Sequence, residues 1–315
     1  MRSLTPLLLA ALAATHATAQ APAQDRQKAV LVTGASTGIG RKITELLASK
    51  GTFVYAGARK EQDLKDLAAI RNVQSVKLDV TVAADIAAAV ATITKAGRGL
   101  DGVINNAGVA VIGPMSDMED VDLSFVFDVN VFGPYRITKA FAPLLIASKG
   151  RVVNISSISG ILAGPLLGVY AMSKHAVEAY TDAVAAEMGR VGVKVSVVEP
   201  GDYRSEMSHN VLRRMEERGQ KVEGSLFEKE LKGIINSLGE ESKDPEPDDV
   251  AQATMAALFD PAPKARYMVV PNQQQANATL RKQIRQLVQL NQAHKYTLPR
   301  DSLVAMLDRA LAEIK

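Results

Sequence analysis

The chain alternates between two hydrophobic periods. Seven short apolar runs read as buried strands: "KAVLVTG" at 28–34, "TFVYAGA" at 52–58, "SVKLDV" at 75–80, "GLDGVINNAG" at 99–108, "RVVNISS" at 151–157, "VKVSVVEPG" at 193–201 and "RYMVVP" at 266–271. Helical sequence separates them. After the first run, Ile39, Ile43, Leu46 and Leu47 share one helical face, and that helix stops at Gly51. Parallel strands need crossover connections, so this alternation predicts a parallel sheet with helices on both faces. The α/β class follows, with ligands expected beyond the carboxyl ends of the strands.

Two regions break the rhythm. Residues 202–247 are charged and helical and read as an inserted lid, after which Asp248 is placed to cap the next helix. Residues 272–315 read as a C-terminal extension of two helices, the second starting at Asp301 or Ser302 after a proline. No chemistry attaches to this extension from sequence; an oligomer contact and a cover over the site are both open.

Composition narrows the classes. The 315 residues are 47% hydrophobic and 23% charged, with a formal charge of +3 and no basic block, which argues against a nucleic-acid surface. Arg213 and Arg214 are offset by Glu216 and Glu217. The absence of cysteine excludes disulfides, thiolate zinc sites and Cys nucleophiles. The four histidines (His16, His175, His209, His294) are dispersed, so no metal site is expected. Residues 1–19 carry an arginine, a short apolar stretch and the small–x–small Ala17-Thr18-Ala19. They read as a secretory signal, too short to span a bilayer, with 20–27 as a linker. The expected location is periplasmic or secreted, with no membrane contact beyond the leader. A disordered leader on a cytoplasmic protein and an uncut tether are the alternatives.

Chemistry enters with "VTGASTGIG". Gly34, Gly38 and Gly40 permit a tight turn and close backbone approach. With Ser36, Thr37 and Ile39 they would bring a pyrophosphate to a helix N-terminus. At the end of the second strand Arg59 and Lys60 stand where a carboxylate would hold an adenosine 2′-hydroxyl, which favours NADP(H) over NAD(H). Tyr170 and Lys174 are four apart and share a helical face, with Ser157 thirteen residues before Tyr170. Carbonyl reduction needs a proton donor at oxygen. A Tyr whose acidity is raised by the neighbouring ammonium of Lys174 would serve, with Ser157 holding the substrate oxygen. "NISSISG" is not a nucleophile elbow, so a serine hydrolase is excluded.

The ordered set "TGASTGIG", Asp79, "NNAG", Asn130, Ser157 and Tyr170–Lys174 strongly resembles the short-chain dehydrogenase/reductase family over roughly residues 28 to 270. The "GAR" strand end and "EPG" turn resemble its hydroxysteroid and retinol dehydrogenase-like branch. The resemblance implies a single Rossmann-type, doubly wound α/β domain over 28–271 with a catalytic tetrad of Asn130, Ser157, Tyr170 and Lys174, Tyr170 being the acid/base and Lys174 also binding the nicotinamide ribose. Asn130 would position a water leading to Lys174. Asp79 and Val80 would lie by the adenine, and Asn106, Ala107 and Gly108 would support the sheet and cofactor. Pro200 and Gly201 would turn beside the nicotinamide, and Ser205 stands where a threonine is more usual. Substrate contacts are expected at Ser157, Ile161, Leu167 and Met207, with Val109, Leu162, Leu166 and Val211 nearby. These suit a small hydrophobic ketone, aldehyde or alcohol. The expected activity is NADP(H)-dependent carbonyl reduction; oxidation of an alcohol or hydroxysteroid and a non-catalytic cofactor sensor are the alternatives. A homodimer or homotetramer is implied by the resemblance.

Overall fold

The computed structural model describes residues 26–239, 243–292 and 294–314. The expected signal peptide and most of the linker lie outside the described residues. Seven strands alternate with helices: β1 Ala29–Val32, α1 Gly38–Ser49, β2 Phe53–Ala58, α2 Glu61–Ala68, β3 Val73–Lys77, α3 Ala83–Ala96 and β4 Gly102–Asn105. There follow α4 Asp120–Phe127, α5 Gly133–Ser148, β5 Arg151–Ile155, α6 Gly168–Gly189 and β6 Lys194–Pro200. The chain closes with α7 Met207–Glu217, α8 Glu228–Gly239, α9 Asp248–Phe259, β7 Arg266–Val269, α10 Gln273–Gln292 and α11 Arg300–Glu313.

All strand pairs are parallel, in the order β3-β2-β1-β4-β5-β6-β7. Successive side chains of a strand point to opposite faces, and β1 divides accordingly. Val30 and Val32 pack with Ile43, Leu47, Val250 and Leu258 on one face. Ala29 and Leu31 pack with Ile93, Ile137, Phe141 and Leu145 on the other. A strand buried on both faces must be apolar at every position, which is why "AVLV" reads as a continuous run. Strand order reverses between β1 and β4, and at that reversal the carboxyl ends leave an open crevice.

Three boundaries differ from the sequence reading. β3 begins at Val73, two residues early, because Val54 to Ala58 pair with Val73 to Lys77. The cap of α9 is Pro247; Asp248 is the first helical residue and its carboxylate lies 3.4 Å from Lys42 Nζ. α11 starts at Arg300, directly after the capping Pro299. Only Thr279 of α10 is buried, and no residue of α11. Among the described residues no helix is long and apolar enough to cross a membrane.

Candidate active site

The turn after β1 is built around close backbone contact. Gly34 takes φ +62°, and a methyl there would stand 2.8 Å from Ala107 Cα. A methyl on Gly40 would stand 2.2 Å from the Gly34 carbonyl oxygen, so neither position accepts a side chain. Thr33, which the sequence reading passed over, ties the turn to "NNAG". Its hydroxyl donates to the Ile104 carbonyl (3.2 Å) and accepts the N–H groups of Asn106 (3.0 Å) and Ala107 (3.1 Å). Asn106 Nδ2 donates to the carbonyls of Thr33 and Gly34, both at 3.0 Å. Thr37 precedes α1 in extended conformation with no side-chain cap bond, and the first turn of α1 holds no acid. The helix therefore presents unpaired N–H groups and the positive end of its dipole to the crevice. That cradle fits a pyrophosphate.

A cleft of about 890 Å³ runs from this turn across the carboxyl ends of the strands. Gly34, Ser36, Thr37, Gly38, Ile39 and Gly40 line it, and Arg59, Lys60, Asp79 and Val80 close one end. The exposed Arg59 guanidinium lies 3.7 Å from Asp79 Oδ2. Burial pushes the Asp79 carboxyl up, but hydrogen bonds from Thr81 and the charge of Arg59 outweigh it and hold Asp79 below its usual range. Asn106, Ala107 and Gly108 line the middle, with Pro200 and Gly201 opposite.

Ser157, Tyr170 and Lys174 meet at the carboxyl end of β5, in the same cleft. Ser157 leaves the strand and caps a 3-10 turn, Ile158–Gly160, its Oγ accepting the Ser159 N–H at 3.0 Å. Its side chain also faces the Tyr170 phenol and opposes the rise in its pKa. Lys174 Nζ lies 5.5 Å from the centre of the Tyr170 ring and donates to the Ile155 carbonyl at 3.0 Å.

The electrostatics run against one expectation. The Tyr170 phenol stands above its ordinary value, not below it. Burial pushes the phenol up to about 12; the charge of Asp202 adds to this, and the Ser157 hydroxyl opposes it. Burial also draws Lys174 down to about 8, with Glu178 pulling the other way. Desolvation acts on both groups and disfavours the charged form of each.

Asn130 is buried in a π-helical turn, Asp128–Phe132, that interrupts the run from α4 to α5. It does not line the cleft: its Oδ1 accepts the Val109 N–H, and its Nδ2 donates to the Val109 carbonyl and Ser173 Oγ, at 2.8, 2.8 and 2.9 Å. It thus clamps the backbone next to Gly108 from behind.

At the far end Val109, Leu167, Met207 and Val211 line the cleft, together with Ala110, Ile112, Ile234 and Leu238, which sequence reasoning missed. The last two belong to the lid and are visible only once α8 folds over α7. Ile161, Leu162 and Leu166 are not in the lining. The 3-10 turn bonds the Ile161 and Leu162 N–H groups back to Ile158, taking that stretch off the cleft wall. Leu166 is buried at φ +65°, its carbonyl accepting the Gly113 N–H. Among the described residues no group of His, Asp and Glu is arranged to hold a metal ion.

A family model described as short chain dehydrogenase matches residues 28–216. The chain is 37% identical over 186 residues to the mitochondrial D-beta-hydroxybutyrate dehydrogenase of Mus musculus, covering 56% of this chain and 54% of that protein. The match thus spans about half the length of that relative. Identity is 34% over 251 residues to an NADPH-dependent 3-dehydrocapnine reductase of Ornithobacterium rhinotracheale, covering 76% of this chain and 87% of that one. A Burkholderia phymatum short chain dehydrogenase/reductase solved in complex with NAD superimposes with TM-score 0.71 at 25% identity, over 87% of this chain and 97% of that one. A Burkholderia cenocepacia J2315 short chain dehydrogenase in complex with NADP gives 0.64 at 25% identity, over 85% and 98%.

Proposed function

The chain belongs to the short-chain dehydrogenase/reductase family, and from that premise we propose that it reduces a small hydrophobic ketone or aldehyde with NADPH. The observation that carries this reading is the junction of two parts in one cleft: the side-chain-free turn at Gly34–Gly40, and the Ser157–Tyr170–Lys174 cluster at the end of β5. Arg59 and Lys60 at the adenine end support NADP(H), as does the reductase among the relatives.

When bound, the nicotinamide supplies the hydride. The chain's own residues handle the oxygen. Tyr170 keeps its proton throughout the neutral range and is therefore poised to donate it to the carbonyl oxygen as charge develops there. Ser157 hydrogen-bonds that oxygen beside Tyr170 and shares the charge. Lys174 carries the cation below pH 8 and stands one helical turn from Tyr170 as its proton reserve. Asn130 holds the Val109 peptide that forms the floor, and the apolar wall at Leu167, Met207 and Val211 excludes water and selects a hydrophobic substrate. The oxidative direction is the second reading, favoured by the dehydrogenase among the relatives.

The test is NADPH oxidation by the protein from Gln20 onward, offered a panel of hydrophobic ketones and aldehydes. Consumption with a subset of them is expected. No consumption despite tight NADPH binding would overturn the reductive reading.

A further inference from the structure

The C-terminal extension lies beyond the segment matched by the family model, yet one of its side chains holds a turn that lines the cleft. Gln275, in the first turn of α10, makes a two-point contact with Asp202. Its Oε1 accepts the Asp202 N–H at 3.1 Å and its Nε2 donates to Asp202 Oδ2 at 2.9 Å. The approach is close enough that a methyl on Gly201 would stand 2.0 Å from Gln275 Oε1. Gln275 is itself held at both ends of its peptide. Its N–H donates to Asn272 Oδ1 at 3.0 Å, and its carbonyl accepts from the hydroxyl of Thr279, the one buried residue of α10. The Gly201 N–H donates to the Val269 carbonyl at 2.8 Å, so the turn is anchored from β7 on one side and from α10 on the other.

Asp202 and Gly201 both line the cleft with Tyr170. The Asp202 carboxylate acts on Tyr170 through its charge, strengthening the phenol's hold on its proton. A group that fixes the direction of this carboxylate and the path of the Gly201 turn therefore acts on the reacting end of the cleft without touching it.

We propose that Gln275 is a positioning residue: it clamps the Gly201–Asp202 turn against the cleft and thereby makes the C-terminal extension a working part of the active site. The role in turnover rests on the oxidoreductase reading above; the clamp itself does not. Both contacts run from one amide to one backbone N–H and one carboxylate, so exchanging the two side-chain chemistries preserves them. Asp202→Asn with Gln275→Glu keeps an acceptor for the backbone N–H at position 202. It also reverses the second bond, the introduced amide now donating to the introduced carboxylate. Gln275→Glu alone sets two carboxylates face to face.

Hydrogen exchange over residues 200–205 reads the clamp without turnover. Exchange should quicken in Gln275→Glu and Gln275→Ala and return to the wild-type rate in the exchanged pair. Unchanged exchange in both single variants overturns the clamp. In the same preparations, kcat of the single variants should fall on the order of tenfold, short of the hundredfold that a full ångström of misplacement costs. KM should hold within about twofold, and the pair should regain part of the loss, since it restores the clamp but moves the carboxylate from position 202 to 275. Gln273→Ala, in the same helical turn but bonded to Asn277 instead, should change neither readout. Quickened exchange with kcat unchanged would overturn the positioning role. A wild-type protein that turns over no substrate would count against the oxidoreductase reading alone, since the exchange result stands without it.

Discussion

Gly40→Ala is a sharp test of how the phosphate turn is built. The new methyl would lie 2.2 Å from Gly34 O and 2.3 Å from Asn106 Nδ2. Ordinary contact needs roughly 3.5 Å, so the turn or the asparagine must retreat by about 1 Å. Retreat breaks the Asn106 bond to the Gly34 carbonyl, now 3.0 Å. Alanine gains about 0.5–1 kcal/mol over glycine inside a helix, whereas forced overpacking costs about 1–3 kcal/mol, so the fold loses up to about 2.5 kcal/mol net. For a domain of this size that lowers Tm by up to about 5 °C. NADPH affinity should fall about tenfold or more, because the displaced N–H groups no longer converge on one point. Gly233→Ala is the control: it sits inside α8 with nothing within 4 Å of its added methyl, so it should gain stability and leave NADPH affinity unchanged. Thermal unfolding and a fluorescence titration with NADPH read both variants. If Gly40→Ala matches Gly233→Ala in both, the close-approach argument is wrong.

Arg59→Asp should lower the ratio of kcat/KM for NADPH over NADH by about tenfold or more, since it replaces a 2′-phosphate partner with a carboxylate; steady-state kinetics with both cofactors decide it, and an unchanged ratio removes the basis for NADP(H). The buried Glu199 gives a stability prediction with a definite sign. Burial first, then repulsion from Glu178, pushes its carboxyl up to about 7, with Arg266 opposing. Its folded value exceeds the ordinary 4.5, so folding is favoured while the proton stays on, and stability falls as pH rises from about 4.5 through 7. Glu199→Gln should therefore raise Tm over the wild type at pH 8 and change it little at pH 5; an equal gap at both pH values would contradict this.

Local chemistry was legible in the sequence, while features created by distant segments were not. The "AVLV" strand and the face Ile39–Ile43–Leu47 announced themselves because burial on both sides of a sheet demands unbroken apolar sequence. The glycines at 34, 38 and 40 stood out because no other residue tolerates such contacts. Tyr170 and Lys174 share a face by helical geometry alone. By contrast, Ile161 and Leu162 looked like cleft residues by position, and only the backbone bonds of the 3-10 turn take them away. Thr33 carried no signal because an apolar strand ending in threonine is unremarked until "NNAG" arrives beside it. The direction of the Tyr170 shift could not be signed from spacing, since desolvation depends on what covers the phenol. Gln275 sits 73 residues from its partner Asp202, in a polar first helical turn that names no partner.

The central claim is that Tyr170 delivers the proton in a cleft that binds NADPH independently of it. Single-turnover NADPH oxidation, with a carbonyl the wild type reduces, tests this in Tyr170→Phe beside a titration of NADPH binding. The account predicts a rate lower by roughly 10²–10⁴-fold, with NADPH binding held within about twofold. A Tyr170→Phe protein that keeps its rate would contradict it.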